Sequence, residues 1–111
     1  MPLGNFRFRL RSTVELLAIG TGDVKQRLFL AVTNHLVLAN SPDVPELPAR
    51  FRNELTSIIE GLTSRSSPGL STIQATLHSM RLVRAAGFAE RIWELHRAFE
   101  AFAETGELPE E

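Results

Sequence analysis

A chain of 111 residues with 43% apolar and 23% charged side chains has the length and composition of one folded domain, which excludes wholesale disorder. It holds no cysteine, which removes disulfide scaffolds, thiolate metal centres and cysteine nucleophiles together. The formal net charge of −1 gives no overall field toward nucleic acid or membrane.

In the first segment Phe6, Leu10, Val14 and Leu17 recur at helical spacing, predicting a helix over 5–19 that stops at Gly20. Period-two alternation occurs only over 6–10, so a short strand there is the alternative. Positions two apart on a helix diverge by about 200°, so Phe6 and Phe8 cannot both enter one core. Thr21-Gly22-Asp23 supplies turn and N-cap chemistry for a second helix over 23–39. Its stripe of Val24, Leu28, Ala31, Val32, Leu36 and Ala39 is widened by Phe29, Leu30, Val37 and Leu38. A helix apolar over so much of its circumference is expected at the centre.

Residues 40–48 carry Pro42, Pro45 and Pro48 and read as a connection, with Pro45 or Pro48 in the first turn of the next helix. That helix runs to Thr63 with Phe51, Leu55, Ile58, Ile59 and Leu62 on one face; residues 64–69 form a second connection. Ile73, Leu77 and Met80 make one stripe; Phe88, Ile92, Leu95, Phe99 and Phe102 make another, nearly in phase. A single helix over 71–104 would be roughly 50 Å long, and Gly87 costs about 1 kcal/mol inside a helix. A break between Arg81 and Gly87 is therefore expected. The resulting fold class is all-α, a compact bundle of four to five helices over 1–106. Residues 107–111 form a frayed acidic tail.

Four pieces taken in order, Gly22-Asp23-Val24-Lys25-Gln26-Arg27-Leu28, Leu47-Pro48 with Arg50-Phe51, Ala75-Thr76-Leu77-His78-Ser79-Met80-Arg81, and Ala89-Glu90-Arg91-Ile92 leading to Leu95, resemble a group of small bacterial helical proteins. No activity is assigned to that group. The resemblance implies a stand-alone bacterial helical protein and no particular function. It also implies a polar cap residue after Met80-Arg81, where Leu82 stands instead.

No convergent chemistry can be assembled. His96 and Glu100 share a helical face, and His35 falls in the apolar second helix as a hydrogen-bonded core or boundary residue. Gly20-Thr21-Gly22-Asp23 lacks the lysine and serine of a phosphate loop, and no serine sits in a Gly-x-Ser-x-Gly elbow. No catalytic residue, cofactor or metal is expected, and the chain reads as a non-enzyme. Three arginines and no acid in residues 1–11 face five glutamates and no base in 98–111, a complementary pair of ends within the chain or between two copies.

Residues 65–97 carry five arginines against two glutamates, with Arg81, Arg84 and Arg91 able to lie together. Helices one and two have the connection of a helix-turn-helix, with Lys25, Gln26, Arg27, Thr33 and Asn34 outward. Thr72, Ala75, Thr76 and Ser79 form a small-residue strip suited to close packing, inside the monomer or in a dimer. Trp93 lies about 100° round from Ile92 and cannot share its groove.

The reading is a non-catalytic protein-interaction or regulatory module that self-associates as a homodimer or binds another protein. Its candidate contacts are Phe8, Arg81, Arg84, Arg91 and Trp93. A small helical DNA-binding regulator is the alternative; nucleic acid is possible but not favoured. No membrane association is expected, since the longest apolar run, residues 28–32, is far short of the roughly 20 residues that span a bilayer. The expected setting is the cytoplasm of a bacterium with a GC-rich genome, on the use of eleven arginines and one lysine.

Overall fold

Each helix begins and ends where a local device satisfies the backbone groups that helix geometry leaves over. The structure, a computed structural model, describes residues 2–19, 22–36 and 48–105, with side chains from residue 6 onward. The first helix, α1 (Pro2–Ile19), starts on a proline, whose missing N–H is harmless there. Near its far end Arg27 Nη1 donates to the Leu17 carbonyl at 2.8 Å, a cation placed on the negative end of the helix dipole.

The second helix, α2 (Val24–Ala31), opens with a reciprocal cap. Gln26 N–H donates to the Asp23 carboxylate at 3.0 Å, and Asp23 N–H donates to the Gln26 side chain at 2.9 Å. Gly22 takes φ +88°, and a Cβ there would collide with the Gln26 amide that completes the cap. The helix continues into a wider π-helical turn, Val32–Leu36. Leu28, Ala31, Val32 and Leu36 are fully buried, and α2 packs on three other helices, as a central helix should. Leu30 is exposed, so the stripe is narrower than its composition suggests. Gly20, the connection at 40–47 with Pro42 and Pro45, Val37, Leu38, Ala39 and the tail at 107–111 lie outside the described residues.

The third helix, α3 (Ala49–Leu62), is preceded by Pro48, whose ψ of 141° is extended. Pro48 therefore caps the helix from just outside instead of occupying its first turn; its carbonyl accepts from Phe51 and Arg52 N–H at 3.1 and 3.3 Å. Next comes α4 (Thr72–Ser79), opened by a second reciprocal cap between Ser71 and Gln74. The turn before it closes with a single bridge between Ser67 and Leu70, and no strand occurs among the described residues.

The last helix, α5 (Leu82–Thr105), holds 24 residues and so runs about 36 Å, most of the molecule's 43 Å length. The expected break is present but stands at Met80–Arg81, ahead of the segment that was to contain it. Met80 turns extended (φ −87°, ψ 143°) and buries its side chain. Gly87 is an ordinary interior residue of α5. Its small intrinsic cost is outweighed by the packing of Ala85, Phe88, Ile92, Leu95 and Phe99, all buried.

The core is one cluster to which all five helices contribute. At one end Phe99 meets Phe6 edge-on at 4.8 Å and Phe51 at 5.5 Å, an edge-to-face geometry that aromatic quadrupoles favour. Toward the other end α3 comes so close to α5 that a Cβ on Gly61 would sit 2.6 Å from Phe88 Cζ. Thr76, buried in α4, donates its hydroxyl to the Thr72 carbonyl at 2.7 Å and accepts from Arg65 N–H at 3.0 Å. Ala75 and Thr76 of the small-residue strip face inward, and Thr72 and Ser79 are exposed.

Candidate interaction surfaces

The two exposed aromatics stand where helical spacing requires. Phe6 is fully buried while Phe8 is 58% exposed, with the Arg9 guanidinium 5.6 Å from its ring. Trp93 is 47% exposed, its ring 5.6 Å from that of His96. The two lie on different helices, α1 and α5.

The arginine patch is rearranged. Arg91 is engaged within the chain. Its Nη2 donates to Glu54 Oε1 at 2.6 Å and to Ser57 Oγ at 3.1 Å, tying α5 to α3. Arg84 and Arg91 flank the Phe88 ring at 5.8 and 5.5 Å, so those two are neighbours as expected, but one is already neutralised. Arg81 and Arg84 instead join Arg65 along a groove of about 310 Å³ bounded by Gly61, Met80 and Val83. Arg65, the first arginine of the basic stretch 65–97 but not among the candidate contacts, sits in a connection whose backbone Thr76 holds, the Arg65 N–H donating to its hydroxyl.

The complementary ends meet inside the chain. Arg7 Nε donates to Glu100 Oε2 at 2.7 Å and its Nη2 to Oε1 at 3.0 Å; Arg11 Nη2 also reaches Oε1 at 3.0 Å. Two guanidinium groups on one carboxylate hold the Glu100 carboxyl below its ordinary range, through the Arg7 hydrogen bond above all. This clamp fixes α1 on α5, so Glu100 is not available to bridge two copies. Next to it, burial pushes the His96 imidazole below its ordinary value, and Arg11 and Arg7 add to the effect against the opposing pull of Glu100.

The helix-turn-helix reading loses two of its outward residues. Arg27 is engaged at the end of α1 and Gln26 in the Asp23 cap, which leaves Lys25, Thr33 and Asn34. His35 is half-buried, with Nδ1 lacking a hydrogen-bond partner among the described residues, where a bonded histidine was expected. Among the described residues no three His, Asp or Glu side chains gather as a metal would need. No helix there is long and apolar enough to cross a membrane.

Two features escaped the sequence reading. One is an open, largely apolar groove of about 590 Å³ between α2 and α4, walled by Phe29, Leu30, Leu70 and Leu77. Leu30, standing off the buried stripe of its helix, was the available signal. The other is the outer face of α5. At 100° per residue, Val83, Ala86, Glu90, Trp93, Arg97, Ala101 and Glu104 fall within an arc of about 80°, and all seven are exposed. The arc lies opposite the buried positions of the same helix, and no described helix covers it. No protein-family model, curated protein or solved structure matches this chain.

Proposed function

We propose that this protein is a non-catalytic helical interaction module that associates with a second copy of itself through the outer face of α5. The observation that carries the reading is the uncovered seven-residue face with Trp93 halfway along its length, at one edge of the arc, because an exposed tryptophan within a continuous face is characteristic of contact centres. Charge supports the choice of a second copy. In an antiparallel, two-fold pairing centred between residues 93 and 94, Glu90 of each copy opposes Arg97 of the other, so one complementary contact occurs twice. Ala86 then opposes Ala101, and two small residues let the helices approach. The face, about 36 Å by 10 Å, offers roughly 360 Å² per copy, below the roughly 800 Å² per partner of stable complexes. The expected dimer is therefore weak and concentration-dependent. A cytoplasmic setting is part of the same reading, resting on the cysteine-free composition.

Sedimentation equilibrium across a concentration series tests it. The wild-type chain should shift from monomer toward dimer as concentration rises into the upper micromolar range. Trp93→Asp should remain monomeric with its helical circular dichroism intact, since Trp93 stands outside the core. Glu90→Arg should weaken the dimer, and adding Arg97→Glu should restore it. A wild-type monomer at the highest concentration refutes the proposal, as does a dimer indifferent to both charge reversals.

A further inference from the structure

The groove at the junction of α3, α4 and α5 gathers like charge without an internal counter-charge. Arg65, Arg81 and Arg84 line it, and no aspartate or glutamate does. Among the described residues Arg7, Arg11, Arg91 and Arg97 make ion pairs with glutamates, and Arg27 reaches a carbonyl. The guanidinium groups of Arg65 and Arg81 make no hydrogen bond or ion pair there, and that of Arg84 only flanks the Phe88 ring. Three cations brought to one concavity repel one another, and a protein surface keeps them together at a cost unless an anion shares them.

The positions are prepared in advance. Arg65 is anchored through its backbone by buried Thr76. The Arg84 guanidinium lies 5.8 Å from the centre of the buried Phe88 ring. Arg81 is the cap residue of α5, its carbonyl accepting from Arg84 and Ala85 N–H at 3.1 and 3.0 Å. The first turn of that long helix holds no acidic residue, so its positive end adds to the same field.

We propose that this groove binds a small phosphorylated anion, its phosphate oxygens shared by Arg65, Arg81 and Arg84. Guanidinium forks engage two oxygens at a time, and a terminal phosphate offers three oxygens to three forks where a carboxylate offers two and a halide a single centre. The groove volume, about 310 Å³, is at the small end of ligand pockets, and Met80 and Val83 give it an apolar side suited to an organic substituent. Duplex nucleic acid fits less well. A protein that makes about 6–10 phosphate contacts spreads them along an extended surface, whereas here three arginines line one hollow.

Isothermal titration of the full chain with inorganic pyrophosphate and with a nucleoside diphosphate tests this at low ionic strength, alongside a nuclear magnetic resonance titration. Both probes should bind, and the resonances that move should cluster at Arg65, Arg81, Val83 and Arg84. Tighter binding of pyrophosphate assigns recognition to the phosphates alone; tighter binding of the nucleoside diphosphate brings in the apolar side. Arg81→Gln/Arg84→Gln should weaken either probe by about tenfold or more, the scale of a lost charge-assisted contact. Arg97→Gln, which removes a cation elsewhere on α5, should leave binding unchanged. Both arginines are exposed, so the double variant should keep the wild-type melting temperature; if it does not, Arg65→Gln serves in its place. Three results overturn the proposal: no binding of either probe at millimolar concentration, equal binding by wild type and variant, or a preference for a duplex oligonucleotide over both small probes.

Discussion

Replacing Gly61 with alanine sets a helix-propensity gain against a steric collision, and the structure decides which is larger. Alanine is favoured over glycine in a helix interior by at most about 1 kcal/mol. At Gly61, in the last turn of α3, the added methyl would stand 2.6 Å from Cζ and 2.8 Å from Cε1 of Phe88. Ordinary carbon contacts are about 3.5–4.0 Å, so the overlap is close to an ångström. Relief requires the ring, which is buried on its α3 side, to move toward the cavity it lines with Arg84, Gly87 and Arg91 and so to give up its packing on α3. Overpacking of this kind costs about 1–3 kcal/mol, which leaves Gly61→Ala destabilised by up to about 2 kcal/mol net.

Gly87 is the internal control. It lies within α5 with nothing within 4 Å of where a Cβ would stand, so Gly87→Ala should stabilise the fold by about 0.5–1 kcal/mol. Urea unfolding followed by circular dichroism gives both values. Their difference isolates the contact with Phe88, and Gly61→Ala combined with Phe88→Leu should recover part of the loss. If Gly61→Ala stabilises as much as Gly87→Ala, the close approach of α3 to α5 is wrong.

Truncating Leu28 or Leu36 to alanine should cost about 2–5 kcal/mol, because both are fully buried; an unchanged denaturation midpoint for Leu36→Ala would contradict the central position of α2. Acid should weaken the fold in two windows. The unfolded chain binds a proton on His96 near the ordinary value of 6.5 and the folded chain only at lower pH, so stability falls as pH drops below about 6.5. The Glu100 carboxyl is depressed in the fold, so its contribution is present above the ordinary 4.5 and disappears as pH falls through its folded value. Melting temperature against pH should lose its upper segment in His96→Gln and its lower one in Glu100→Gln; parallel curves for all three proteins would reject both assignments.

The helices were legible in the chain because their determinants are local. The spacing of Phe6, Leu10, Val14 and Leu17 marks a helix without reference to any partner, and Asp23 followed by Gln26 marks a helix start. That Phe8 and Trp93 must face outward also follows from helical angles alone, and both are exposed. What each charged side chain does is a different kind of fact. Arg7, Arg27 and Arg91 are indistinguishable as residues in a helical pattern, yet the first clamps Glu100, the second closes the end of α1 and the third binds Glu54. Those roles depend on partners 10 to 93 residues away, set by which helices lie side by side and at what height. The break at Met80 belongs to the same category: intrinsic propensity cannot locate it within a few residues when the burial of one methionine and of five α5 side chains outweighs the cost of Gly87. The groove of Arg65, Arg81 and Arg84 exists only because a connection, a helix junction and a helix start are packed together, and packing depends on the whole core at once.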